Sequence, residues 1–175
     1  MENYLFLEYS SELEQLSKTL GYSKTLFLGR DFILVKGSFK EILNSCHEAQ
    51  RKKLLTIYIA DNEEMLRSVV EKSPVDVVMG MEKLFGKDSF HYPKSGLNHI
   101  LCRFATEKGK KFAFSFSDVL NAKERGRMIH RIGFNFGLCQ EYGVKVIWSN
   151  FSSIKEEMRS NSDLEAVRRV LEKVN

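Results

Sequence analysis

Between residues 97 and 151 the chain repeats one phrase twice. An amphipathic helical pattern stops at a glycine, first in Glu107-Lys108-Gly109 and again in Glu141-Tyr142-Gly143. An apolar strand pattern follows each stop at once, KKFAFSF and then VKVIWSN. A third copy lies upstream, where Val69–Ser73 leads through Pro74 into VDVVMGM. Helix, breaker and buried strand in succession is the pattern of a parallel sheet whose crossovers are helices. The fold class expected is therefore α/β.

The remaining segments extend the rhythm. Tyr4–Glu8, Thr25–Leu28, Phe32–Lys36 and Leu54–Ala60 read as further strands. Ser11 with Glu14 resembles a capping box, and Asp61 or Asn62 is placed to cap the helix that ends at Lys72. Gly29-Arg30-Asp31 leaves no room for a crossover helix. Strands two and three are thus either an antiparallel hairpin or a repeat that has lost its helix. Glu82–Gly96 is a long loop with three lysines and several aromatics, and residues 118–142 read as one long helix. No linker or composition break appears, so residues 1–175 are expected to form a single domain.

Strand alternation refines the expectation. Phe112, Phe114 and Phe116 oppose Ala113, Ser115 and Ser117; Val146 and Trp148 oppose Lys145, Ile147 and Ser149. Leu55, Ile57 and Ile59 likewise oppose Thr56, Tyr58 and Ala60. Bulky faces suit packing under helices, and small faces suit a barrel interior. A full eight-unit barrel takes about 250 residues. This chain has 175, so the expectation is a compact, incomplete TIM-like (β/α) barrel of about seven strands.

Composition narrows the chemistry. The formal charge of +4 permits an acidic partner without requiring one. Cys46, Cys102 and Cys139 are odd in number and lack a C-x-x-C spacing, which argues against disulfide scaffolding and a zinc site. The start MENYLFLEYSSELEQ lacks the pattern of a secretory signal, and no apolar run reaches the ~20 residues of a membrane span. A cytoplasmic protein without a membrane partner is expected.

His47, His91, His99 and His130 show no H-x-H, H-x-x-x-H or H-E-x-x-H spacing, and there is no P-loop or G-x-G-x-x-G. Glu8, Asp61 and Glu82 stand at strand ends, where they could meet around a hard cation or serve as caps and solvated charges. Gly126, Gly133 and Gly137 within a helical pattern point to close approach of another backbone, as tight packing or as an interface. The cations are the stronger signal. Lys123, Arg125, Arg127 and Arg131 follow a strand end and could join Lys83, Lys87 and Lys94 of the long loop in one cationic rim. Phe85, Phe90, His91 and Tyr92 interleave with them and could stack on bases, the pattern of a candidate RNA-contact surface.

An ordered series of elements over residues 54–151 resembles archaeal ribonuclease P protein component 3, the counterpart of the eukaryotic 30-kDa ribonuclease P subunit. The elements are Val75-Asp76, Gly96-Leu97-Asn98-His99, Phe114-Ser115-Phe116, Glu124-Arg125, Glu141-Tyr142-Gly143-Val144 and Ser149-Asn150. The resemblance implies a barrel similar to the polymerase and histidinol phosphatase family. It implies a non-catalytic subunit supporting the RNA that removes the 5′ leader of precursor tRNA, with magnesium bound by that RNA and no cofactor or catalytic side chain on the protein. The implied partners are ribonuclease P RNA, precursor tRNA indirectly, and a small ferredoxin-like protein subunit. His99, Gly126, Gly133 and Gly137 are the candidate interface or packing residues. Two alternatives stand beside it: a metal-dependent phosphoesterase of the same barrel type, and a protein-docking module.

Overall fold

The computed structural model describes residues 1–173. Among the described residues there are seven strands and seven helices. They run β1 (Glu2–Leu5), α1 (Ser11–Thr19), β2 (Lys24–Phe27), β3 (Phe32–Val35), α2 (Phe39–Arg51), β4 (Leu55–Ile59), α3 (Glu63–Lys72) and β5 (Val77–Met79). A 3-10 turn follows at Met81–Lys83. Then come α4 (His99–Glu107), β6 (Lys111–Ser115), α5 (Phe116–Asn121), α6 (Arg125–Glu141), β7 (Lys145–Ser149), a second 3-10 turn (Lys155–Glu157) and α7 (Asn161–Leu171).

Strands β3 to β7 form one parallel sheet in sequence order, and β1 and β2 form a parallel pair. The α/β reading and the helical crossovers are as the repeated phrase predicts. Between β2 and β3 the bridge Leu28–Phe32 is parallel, so the short link is not an antiparallel hairpin. Gly29, at φ 80°, makes that step, and its N–H donates to Phe32 O at 2.8 Å.

The helices stop and start where local chemistry directs. Ser10, Ser38, Asn62, Asn98 and Ser160 each accept from a backbone N–H in the first turn of the helix that follows. Each such cap stabilises its helix by about 1 kcal/mol. Ser10 rather than Ser11 caps α1, and Asn62 rather than Asp61 caps α3. Asp61 instead accepts from Tyr58 Oη at 2.6 Å.

Two apolar layers flank the sheet. The outer layer joins β3–β7 to α2, α3, α4, α6 and α7, and it takes Phe112, Phe114 and Trp148 as the alternation predicts. All three cysteines are buried, and Cys46, Cys102 and Cys139 belong to this layer. The inner cluster draws a side chain from every strand: Tyr4, Leu26, Phe32, Ile57, Val77, Met79 and Ala113, with Ile147 packed against them. Here β4 reverses the expectation. Leu55, Ile57 and Ile59 face the inner cluster, while Tyr58 and Ala60 face the helices. The outward face gives the Tyr58 hydroxyl its acceptor, Asp61, which a fully apolar interior would not.

The ends of the two sheets meet at a polar seam. Phe151 N–H donates to Tyr4 O at 2.8 Å, and Phe6 N–H to Ser152 O at 2.9 Å. Phe151 holds φ 47°, a conformation that costs a bulky residue about 1 kcal/mol or more. In return its buried ring stacks on Tyr4 at 5.3 Å. Beside it, Asn150 Nδ2 donates to Asn3 Oδ1 (3.0 Å), Tyr22 Oη (2.9 Å) and Arg159 O (3.3 Å), while its Oδ1 accepts from Arg159 N. Ser149 Oγ accepts from Tyr4 N at 2.7 Å, and Asn3 Nδ2 donates to Ser17 Oγ at 3.0 Å.

Candidate nucleic-acid interface

The segments that follow β5 and β6 rise side by side from adjacent strands. Gly80, at φ 82°, turns the chain out of β5 into the 3-10 turn. Residues 82–95 then loop away and return at Gly96. A Cβ on Gly96 would lie 2.2 Å from Met81 O, so the two ends of the loop touch and only glycine fits. This is a compact loop with joined ends.

Helix α6 holds that loop. Arg131 Nε donates to Asp88 Oδ1 at 2.8 Å; its Nη1 donates to Glu82 O at 2.8 Å and Phe85 O at 2.7 Å. Asn135 Nδ2 donates to Ser95 O at 3.0 Å. Asp88 also accepts from Lys94 N at 2.8 Å, which closes the tip. The aromatics of the loop are displayed outward: Phe90 is 97% exposed and Tyr92 60%.

The expected helix over 118–142 is two helices. Ala122 is extended, and the chain bends there between α5 and α6. Ser115 caps α5 directly from the end of β6. The bend brings Lys83, Lys123 and Arg127 around one cavity of about 240 Å³, with Glu82, Phe85, Met128 and Arg131 also in its wall.

The seven expected rim cations fall into three groups. Lys87, Lys94 and Lys123 are exposed, and among the described residues none of them has an ion-pair partner. Lys94 lies over the Phe85 ring, 5.8 Å from its centroid. Arg125 is exposed and donates twice to Leu120 O, bonds that leave its charge uncompensated. Lys83 pairs with Asp118 at 2.8 Å and Arg127 with Glu124 at 3.0 Å. Arg131 is a correction. It is 3% exposed and spent on the loop, because a guanidinium can satisfy several carbonyls at once where a solvated lysine would not.

The other candidates separate as well. His99 opens α4 on the surface, its ring 6.5 Å from that of Tyr142. Both line a larger groove of about 710 Å³ together with Tyr92 and Phe134. Gly126 is exposed, and a Cβ added there would meet nothing within 4 Å, so no backbone approaches it. Gly133 is buried in α6, and Gly137 is half-buried.

Glu82 is the residue whose role the sequence hides. It is fully buried, and neither carboxylate oxygen has a hydrogen-bond partner. Burial pushes its carboxyl up to about 7; its own backbone N–H, Lys83 and Arg131 oppose that rise and Asp118 adds to it. Arg131 Nη2, Ser95 Oγ, Ser117 Oγ and Asn135 Oδ1 are also buried without partners. In the sequence Glu82 stands out only as an acid at a strand end, which does not foretell its burial. Glu8, Asp61 and Glu82 do not gather, and among the described residues no three His, Cys, Asp or Glu side chains could hold a metal ion.

No protein-family model matches the chain, and no curated protein resembles it in sequence. Solved structures do share its fold. A chain in the cryo-EM structure of archaeal ribonuclease P with mature tRNA superposes with a TM-score of 0.66 at 19% identity, covering 99% of this chain and 73% of that one. An uncharacterized protein superposes with a TM-score of 0.54 at 9% identity, over 96% of this chain and 44% of its own. Likeness at these identities establishes a common fold. The chain thus has the architecture of a protein found in archaeal ribonuclease P with mature tRNA, over nearly its whole length.

Proposed function

We propose that this chain is a non-catalytic, RNA-binding protein subunit of a ribonuclease P, acting in tRNA 5′-end maturation. The observation that carries this is the superposition over 99% of the chain on a protein of that assembly. The exposed cations Lys87, Lys94, Lys123 and Arg125 support it, since they lie beyond the strand ends, where α/β folds place their sites. The seven strands act as one compact TIM-like barrel, a reading supported by the inner cluster and by the two seam bridges, Leu5–Ser152 and Leu28–Phe32. Catalysis belongs to the RNA and its magnesium, and a small ferredoxin-like subunit is the expected protein partner in an archaeal, cytoplasmic particle. Among the described residues no helix is long and apolar enough to cross a membrane.

Reconstitution tests the proposal. Adding this chain to the cognate RNA and the remaining subunits should raise the rate of precursor-tRNA cleavage. Lys123→Ala with Arg125→Ala should weaken binding to that RNA and lower the slope of log K against log salt by about one unit or more. No gain in cleavage and unchanged affinity across the salt series would remove the reading.

A further inference from the structure

A second set of cations lies at the opposite edge of the sheet, where β4–β7 begin. These four strands are parallel and adjacent in sequence order, so the links that enter them lie side by side. The links expose Lys52, Lys53, Lys72, Lys108 and Lys145, with Lys111 half-buried. Among the described residues none of the six has an ion-pair partner. The acids of the same links are Asp76, Glu107 and Glu141, and Asp76 is engaged by Thr56 N at 2.8 Å and Oγ1 at 2.7 Å. Buried Lys110 donates to Ser73 O at 2.6 Å and Val75 O at 2.9 Å, which ties two neighbouring links together.

Two features of this edge work against stability. Helices α1, α2, α4 and α6 end in the same turn: the N–H one residue past the cap bonds back three residues, and the next N–H bonds back five. The left-handed residue of that turn is Gly21, Gly109 or Gly143 in three of them and Lys53, at φ 57°, in the fourth. Glycine takes this conformation without a Cβ clash, and lysine does not. Lys111 and Lys145 are register partners on β6 and β7, like charges on strands about 4.8 Å apart. At the start of the other sheet the register partners Glu2 and Lys24 form an ion pair at 3.3 Å instead. Lysines such as Lys52, Lys72 and Lys108 complement the dipole at the ends of their helices. That account leaves Lys111 and Lys145, which begin strands, and it does not need a strained Lys53 beside Arg51 and Lys52.

We propose that this edge grips the phosphate backbone of a double-stranded RNA segment, a second RNA contact at the end of the sheet opposite loop 82–95. The inference rests on the RNA-binding reading above. A phosphate between Lys111 and Lys145 turns their repulsion into two attractions, and Lys53 extends the row two strands further, to the link before β4. The partner's chemistry follows from what the edge displays. Among the described residues these links expose no large apolar side chain, whereas protein interfaces are built around an apolar core. Lysines without such a core suit phosphates, which are bound by charge and without regard to sequence. The ring these links contain, Tyr142, is half-buried beside His99. They therefore lack the displayed aromatics of the loop, Phe90 and Tyr92, on which unpaired bases stack. A helical segment fits this edge better than an unpaired one.

A labelled blunt RNA duplex of about 16 base pairs and one of its single strands test this, each followed by anisotropy between about 50 and 200 mM salt. The variant Lys53→Gly with Lys111→Gln and Lys145→Gln should bind the duplex about tenfold or more weakly at the low-salt end. Its slope of log K against log salt should be lower by about two units or more. The loss on the single strand should be much smaller. The same variant should melt above the wild type, because the strain and the repulsion are gone. Lys53→Gly alone should show both changes on a smaller scale, with a slope lower by about one unit. Circular dichroism establishes that each variant is folded. Wild-type duplex affinity in the triple variant overturns the proposal, and so does a lower melting point, which would make these lysines part of the fold. Equal losses on duplex and single strand overturn it too, leaving an effect of net charge only. Competition by polyglutamate as strong as by unlabelled duplex, charge for charge, would assign the edge to an acidic protein instead. Binding of the full ribonuclease P RNA is measured in parallel. If that RNA binds while the short duplex does not, the edge assignment falls alone; if neither binds, the RNA-binding reading falls with it.

Discussion

Two buried polar regions lie on this molecule, and they are built differently. At the seam between β1 and the end of β7, Asn3, Tyr22, Ser149 and Asn150 bond to one another and to backbone, and among the described residues there Ser152 Oγ and the adjoining Ser117 Oγ are left without a partner. Under the loop 82–95, Glu82, Ser95, Arg131 and Asn135 all keep at least one unpaired buried atom. A satisfied network fixes one arrangement of the chain; an unsatisfied one stores a cost that water or a ligand can relieve. The first region is therefore chemically closed, and the second keeps hydrogen-bonding capacity unspent.

The largest effect should come from breaking the satisfied side. Asn150→Ala removes four hydrogen bonds and strands the Arg159 backbone N–H, while Tyr22 Oη keeps Arg159 O and Asn3 Oδ1 keeps Ser149 Oγ. At ~1–3 kcal/mol for the stranded N–H and about 1 kcal/mol for each further bond lost, a loss of about 3 kcal/mol or more is expected. That corresponds to a melting point lower by roughly 6–12 °C for a domain of this size. RNA affinity measured well below the melting temperature should be unchanged. If Asn150→Ala left stability intact, the contrast between the regions would lose its basis.

Arg131→Lys should act next, and more locally. A lysine cannot make the three-way contact to Asp88, Glu82 O and Phe85 O. Amide hydrogen exchange should speed up across residues 82–95 while β3–β7 remain protected. Uniform protection in both would mean that the loop is held by its Gly96–Met81 closure alone.

The third effect depends on pH. The carboxyl of Glu82 is raised in the folded protein from an ordinary value of 4.5 to about 7, chiefly by burial. Between those values the folded state holds a proton that the unfolded state has released, so this group's contribution to stability is full below about 4.5 and is lost as pH rises through about 7. Glu82→Gln should match the wild type at low pH and exceed it above pH 7, by a few degrees of melting temperature. The charges near Glu82 that shape this titration are Lys83, Asp118 and Arg131. Parallel stability profiles for the two proteins would show that Glu82 already has a partner in solution.

The smallest effect belongs to the exposed ion pair Lys83–Asp118. Lys83→Ala should change stability by less than about 1 kcal/mol, since exposed pairs contribute little.

Much of the architecture was legible because each helix–breaker–strand phrase is local. A glycine after Tyr142 or Lys108 ends its helix whatever the rest of the chain does. The sense of β4 was not legible: alternation separates two faces and leaves open which of them meets the helices. The break at Ala122 carries no glycine or proline. The seam was invisible for another reason, since Asn3 and Asn150 are 147 residues apart. Several of the elements that carried the family resemblance prove to be structural hardware. Asn98 caps α4, Asp76 accepts from Thr56 N and Oγ1, and Ser149-Asn150 close the seam. The cations were legible as residues. Their division into free, paired and buried depended on Asp88, Asp118 and Glu124, whose partners only the folded chain brings near.

The contact of Gly96 with Met81 makes the segment between them an exchangeable cassette. The scaffold senses where the segment leaves and returns, together with the few atoms that α6 grips, and it is indifferent to how far the tip extends. Lengthening such a segment costs only a slowly growing closure entropy, about 0.6 kcal/mol per doubling. Its reach, charge and aromatic content can therefore be retuned while the sheet beneath is left as it is.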